Sequence, residues 1–500
     1  MRVLLLIVAM AAAAGPHAQN EEDAIAGAAV AAPKADQVTA GHLLRRIGFG
    51  PTLSELKVVE RVGVTTYVNQ QLNPAGINDS AAAAKLPRPP KNIYDSPAWQ
   101  ARWYARMVYS RRQLLEKMTL TWHEHFATSA EKVQVGFLMH AQEDLLRRYA
   151  LGHFADMLKA IIKDQAMLIW LDNDYNNGNA RDDDGNPVLP NRNFARELLQ
   201  LFTVGPVQLA MDGSPLLDTG GNPLPNYTEQ DVTGVARALT GWHVDYKHHF
   251  KAPVFEAGLH DAGDKTVLGV LIKGRPRTTG ALEVNDVVAI LMAQPSMAPF
   301  VSKLLIQKLA TETPTPEYVS RVSTVFQKTK GDVRQTVKAI LLDPEFTSDA
   351  VVRTQYRTPI EHFVGMVRAL GGTTRGDALT YWTYFTHHMV YYPPSVFSFY
   401  PPGRKATLVN SANLTYRDRF SDDFVAWNSD TGFDAGKLIR VNHLTTPDLI
   451  VDFLGNALLA APISSDVRAE LMTYMEGRAD QEKLRGAAWL LICSPDFQRN

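Results

Sequence analysis

A single cysteine, Cys493, stands in the 500-residue chain, so an intrachain disulfide is excluded. Its setting, WLLICSPDF, suits a small buried apolar residue better than a nucleophile. An excess of one charge is lacking too. The chain has 51 basic and 52 acidic residues, a net charge of −1, so no global field draws it to nucleic acid or to an anionic membrane. After the N-terminal stretch, no segment reaches the roughly 18 unbroken apolar residues of a membrane span. Also missing are the GxxxxGK[ST] phosphate loop, the dinucleotide glycine fingerprint and the GxSxG elbow. Those gaps argue against nucleotide-driven chemistry and serine esterases.

What is present begins with an export pattern. MRVLLLIVAMAAAAGPHAQ has one basic residue, an apolar run from Val3 to Ala14, then small residues. It reads as a signal peptide over residues 1–18, cleaved between Gly15 and Ala18, with an uncleaved anchor as the rival. The expected location is secreted or periplasmic, with no stable membrane span after cleavage. Residues 19–38, rich in alanine and small polar groups, form an expected flexible leader.

From His42 onward apolar residues recur at helical spacing, in Trp99–Phe126, Phe137–Tyr149, Phe154–Trp170 and Phe194–Phe202. Strand-like alternation is scarce, and Val244–Phe255 is the best hairpin candidate. The expected fold is mainly α, one large multi-helical domain over residues 39–500. Long irregular loops are expected at Asp172–Asn193 and Gln208–Asn226. A third irregular stretch is YYPPSVFSFYPPG, Tyr391 to Gly403. Its prolines exclude a helix, and its aromatics are expected to pack on the body or line a cleft. Residues 300–346 and 448–497 share one order of helices and turns, which suggests a duplicated helical unit. Each ends on a phenylalanine two residues past a proline, Phe346 after Pro344 and Phe497 after Pro495.

Four segments carry chemistry. In LTWHEHFATS, Leu120 to Ser129, helical phase puts Leu114, Leu115, Met118, Trp122, His125 and Phe126 on one face and His123 about 200° from His125. Two histidines so placed cannot hold one metal in an unbroken helix, and the zinc-protease spacing of i and i+4 is not met. His125 is then either a satisfied core histidine or a working group, with His123 and Glu124 beside it. In NRNFARELLQLF, Glu197 lies at the edge of a buried stripe and Arg196 just outside it, an ion pair or an acid–base site. In LDNDYNNGNARDDDGNP, Asp172, Asp174, Asn176 and Asp183 fall near calcium-loop positions, although the loop's glycine and terminal glutamate are replaced. A solvated acidic loop is the simpler reading. In YTEQDVTGVARALTGW, Thr228 and Asp231 have capping-box spacing, so Asp231 is expected to serve its helix. Trp242 follows, and His260-Asp261 further on is a plausible oriented acid–base pair.

HLLRRIGFGPT, KMTLTWHEHFATS, NRNFARELLQLFTVG, YTEQDV, ARALTGW and HDAGDKTVLG, followed by QPSMAPFVSKLL, RTPIEHFVGMVRALG and LLICSPDFQ, occur in an order that resembles one bacterial family. It is the largely secreted family catalogued as domain of unknown function 1800. The resemblance spans nearly the whole mature chain. It implies an exported, mainly helical protein and marks His123, His125, Phe126, Arg196, Glu197, Asp231, Arg237, Trp242, His260 and Asp261 as pattern residues. This chain departs from the pattern at PPSVFSFYPPG, where the family has Pro-Pro-Asn-Val and then Gly-Trp. Its acidic insertion before Pro190 is also longer.

Three functions are open. The first is a secreted hydrolase or lyase on an extracellular polymer, chiefly a polysaccharide, working by carboxylate and histidine acid–base chemistry. Glu197 is its first-choice acid or base, with Asp231, Glu124 or Asp261 as partner and His125, His123 or His260 assisting. Arg196, Arg237, Trp122 and Trp242 are its substrate-binding candidates. The second is a metal-dependent enzyme with His123, His125, His260 and a carboxylate as ligands. The third is a non-catalytic export, scaffold or binding protein in which these polar residues are buried pairs. No cofactor is expected under the first reading, while calcium or a transition metal belongs to the second.

Overall fold

The computed structural model describes residues 35–400 and 403–500, so the expected signal peptide and most of the leader lie outside the described residues. The chain is mainly α, with helices from Ala35–Ile47 to Asp480–Cys493 and, among the described residues, two small antiparallel strand pairs. Trp242–His243 pairs with Val254–Phe255, close to the expected hairpin. Lys265–Val267 pairs with Val270–Ile272, which the sequence reading had not placed.

Local chemistry sets the helix ends. Thr358 and Glu361 close a reciprocal capping box on helix Pro359–Ala369, and proline at its first turn fixes φ for entry. Helix Gln113–Phe126 stops at Ala127, which adopts a left-handed conformation, and Ser129 then caps the next turn. The expected helix over Phe194–Phe202 divides into an α turn, Asn193–Glu197, and a wider π turn, Leu198–Thr203. The Asp172–Asn193 and Gln208–Asn226 stretches are loops tied by isolated bridges such as Arg181 with Pro187 and Val207 with Pro225.

Two apolar cores meet along one helix. Leu114, Met118, Trp122 and Phe126 belong to a core with Phe154, Phe194, Phe202 and the Met297–Leu309 helix. Leu120, on the other side of Gln113–Phe126, belongs to a second core with Trp103, Tyr104, Phe363 and Phe420. A surface helix keeps one polar face in water. This helix is enclosed on nearly every side, so its polar residues must find protein partners. Phe346 and Phe497 are both buried.

Candidate functional site

Helical phase does separate the two histidines, and each meets a different core. His125 donates its Nε2 proton to the Phe202 carbonyl at 3.0 Å, at the π turn. Around it lie Trp122, Phe126 and Phe202. Burial pulls its pKa down to about 4, against the carbonyl bond that favours the cation. His125, named as an assistant to Glu197, bonds the Phe202 carbonyl and not Glu197. Glu197 is half-buried, one of its oxygens has no hydrogen-bond partner, and burial raises its pKa while Arg196 opposes the rise. Arg196 itself forks onto Glu229 at 2.7 and 2.8 Å.

His123 faces the second core. Its Nε2 accepts the Tyr391 backbone N–H at 3.0 Å, which requires the neutral ring. Burial holds its pKa near 4, although Glu124 and Glu143 pull the other way. Tyr391 has φ of 68°, returns its carbonyl to the Ala130 N–H at 2.7 Å and donates its hydroxyl to Glu143. His123 therefore pins the start of the proline-rich segment onto the helix.

The remaining sequence candidates are scattered. Trp122 is fully enclosed and donates to the Ala150 carbonyl at 3.1 Å. Asp231 accepts from Thr228 N at 2.8 Å and from Leu268 N at 2.6 Å, so it caps its helix and ties down a turn. Arg237 forks onto Asp261 at 2.6 and 3.1 Å. Asp261 is held below the usual carboxylate range, because that guanidinium outweighs burial. His260 is buried with its Nδ1 3.1 Å from the Thr240 carbonyl and its Nε2 3.4 Å from the buried Glu283. Trp242 packs on Phe255, with the Lys163 ammonium 5.7 Å from its ring centre.

The calcium-loop oxygens are already engaged. Asp172 pairs with Lys132 at 2.6 Å, Asp174 accepts from Val244 N and Tyr246 Oη at 2.8 Å each, Asn176 accepts from Asn191 N at 2.8 Å, and Asp183 is exposed. Among the described residues, the ligand atoms close enough to share an ion belong to His140, Glu143 and Asp144. Arg147 already pairs with both of those carboxylates.

Glu124, between the two histidines, is the sequence candidate that meets a cavity. Its Oε1 accepts from His388 Nε2 at 3.0 Å, and its Oε2 accepts from Lys308 Nζ at 2.5 Å and Tyr400 Oη at 3.0 Å. Burial pushes this carboxyl up, but Lys308 and His388 outweigh it and hold the group well below its usual range. The Lys308 ammonium offsets its unfavourable place near a helix C-terminus. A second carboxylate on the wall, Glu361, pairs directly with Lys117 through one oxygen, and its other oxygen accepts Thr358 N at 2.8 Å in the capping box. Lys405 lies 3.8 Å from Glu361 and donates to Gln355 Oε1 at 3.2 Å. Burial, with Arg46, Lys117 and Lys308 adding repulsion, outweighs the pull of Glu361 and lowers the Lys405 pKa to about 7.

Lys117, Glu124, Lys308, Glu361, Tyr400 and Lys405 line the cavity, together with Leu120, Thr121 and Thr358. About 10 Å³ of it is open to the centre of a water molecule, room for roughly one. Sequence reasoning missed Lys308, Glu361, His388, Tyr400 and Lys405 as chemistry. The TPIE capping signature and the expectation that Tyr391–Gly403 lines a cleft were the available signals; His388 and Lys405 had none.

A family model described as "Protein of unknown function (DUF1800)" matches residues 42–499. No curated protein and no solved structure matches the chain. The chain belongs to that family.

Proposed function

We propose that this family member is an exported acid–base enzyme, a hydrolase or lyase acting on an extracellular polymer, with its chemistry at the Glu124–Glu361–Lys405 cavity. One observation carries the reading. Ionisable side chains from distant parts of the chain converge on a void, at a desolvation cost that apolar residues would avoid. Lys405 changes protonation near neutral pH, so it is the group assigned to move the proton that either reaction requires. Glu124, kept ionised, is the fixed negative charge, and Tyr400 and His388 orient it. Support for a polysaccharide comes from exposed rings on the segments that supply His388 and Tyr400, namely Tyr381, Tyr384 and Phe397.

No step is routed through a metal. Three ammonium groups on the cavity wall repel a cation. Dialysis against a chelator is therefore expected to leave turnover unchanged, and loss of turnover restored by one metal would refute that part. The enzyme reading is tested by screening the protein against polysaccharides beside Lys405→Met. Products released equally by both proteins would remove the cavity from the mechanism.

The scaffold reading is favoured by a different observation. His125, Asp231 and Asp261 each have a partner of their own, Glu197 has a buried oxygen without one, and the structure does not bring the four together. Tight polymer binding with no product from any substrate, in a protein whose Lys405→Met variant binds equally well, would select it.

A further inference from the structure

We infer that the cavity receives an anionic group, a carboxylate or similar small oxyanion carried by the polymer, so that the substrate class is an acidic polysaccharide. This rests on the reading above and extends it to the substrate's chemistry.

The charges on the wall do not cancel. Lys308 has Glu124 and Lys117 has Glu361. Among the described residues, Lys405 is the odd cation on this wall. The nearest carboxylate oxygen in an ion pair with it is 3.8 Å away and already taken by Lys117. Positive charge continues behind it. Arg46 shares the Gln355 oxygen with Lys405 and otherwise donates to the Leu309 and Ala310 carbonyls. Arg357 and Arg417, also buried, donate to main-chain carbonyls and to Gln498. Glu361 attracts Lys405, Arg357 and Arg417, Asp418 also attracts Arg417, and these three cations with Lys117 outnumber the two carboxylates. Glu312, at the edge, accepts the Lys405 backbone N–H.

An uncompensated buried cation is costly, and a seated anion offsets that cost. The void has room for roughly one oxygen-sized atom, so it excludes a sugar ring and takes at most one oxygen of an acid group. One oxygen of the acid group therefore enters, while the sugar ring stays outside the void. Seating an anion favours charged Lys405, so binding takes up a proton, and affinity falls by up to about tenfold per pH unit above the Lys405 titration. The charged groups facing Lys405 in that titration are Glu361, Arg46, Lys117 and Lys308.

The probe is sodium formate, with formamide as its uncharged counterpart, at fixed ionic strength with a bulky buffer anion. Thermal unfolding of the full protein is expected to shift upward with formate at pH 6, to shift much less at pH 9, and not to shift with formamide. The formate shift should vanish in Lys405→Met. Equal shifts with formate and formamide, or a formate shift unchanged in the variant, would overturn the inference. Because wild type is compared across pH, a variant that fails to fold leaves the test standing. Polymers bearing uronate, sulfate ester or no charge then separate the sources of the anion. Formate binding without turnover of any polymer would keep the anion site and sink the enzyme. Turnover of neutral polymers alone, without formate binding, would do the reverse.

Discussion

At the scale of single residues, the cavity separates what stabilises from what works. Lys405 is enclosed and faces more cations than anions, so in the resting protein it is a liability. Lys405→Met keeps the stem and removes the charge. The variant is expected to be more stable at neutral pH by about 1–2 kcal/mol, while turnover drops roughly 10²- to 10⁴-fold with the lost proton transfer. Thermal melts and product assays on one preparation check both. A variant that is both less stable and fully active would remove the lysine from the proposed site.

The same scale shows what the sequence could tell. Helical phase alone predicted that His123 and His125 diverge, and the unbroken Gln113–Phe126 helix sends them into different cores. It could not show that Glu124, among the candidates, would be the one to line a cavity. Its partners are Lys308, His388 and Tyr400, which lie 184, 264 and 276 residues further along the chain. Periodicity assigns a side chain to a face, but contacts across such separations are set by tertiary packing. Asp231 is the converse case. Its capping role needs only Thr228 three residues earlier, and it was legible for that reason.

At the scale of elements, the Tyr391–Tyr400 segment is held where a helix could not run. Its prolines leave N–H groups and turns that need outside partners. His123 accepts the Tyr391 N–H at one end, and the Tyr400 hydroxyl meets Glu124 and Lys308 at the other. Both anchors rest on one helix. His123→Leu leaves a buried N–H without an acceptor, a loss of about 1–3 kcal/mol, and frees the segment's start. Amide exchange at Tyr391 and Ala130 is expected to speed up, while Ala127, inside the helix end, stays protected. Tyr400→Phe removes only the hydroxyl. It should lower turnover without changing exchange at Tyr391. If exchange speeds up equally in both variants, the two anchors are not separate.

At the scale of the whole molecule, the buried imidazoles make folding depend on pH. Burial lowers the pKa of His42 to about 3 and of His123 and His125 to about 4, with nearby arginines assisting at His42. In the unfolded chain each would titrate near 6.5. Above pH 6.5 the three rings are neutral in both states and add no pH dependence. Between about 6.5 and 4 the unfolded chain takes up protons that the folded protein refuses, so stability falls as pH falls. These three sites alone give a slope approaching roughly 4 kcal/mol per pH unit at its steepest, and His362 and His388, also lowered by burial, add to it. The carboxylates act later. Glu124 is held below its usual range, so its contribution is complete above the unfolded value near 4.3 and is lost only under stronger acid. Two acid-sensitive steps are therefore expected in a plot of unfolding free energy against pH, with the histidine step first. His123→Gln offers an acceptor that does not titrate, and it should make the upper step shallower by one site's share, up to about 1.4 kcal/mol per pH unit, while leaving the lower one. A profile level from pH 6.5 to 5 would mean that these rings are not held neutral. The link between the two cores through His123, Glu124 and His125 would then need another account.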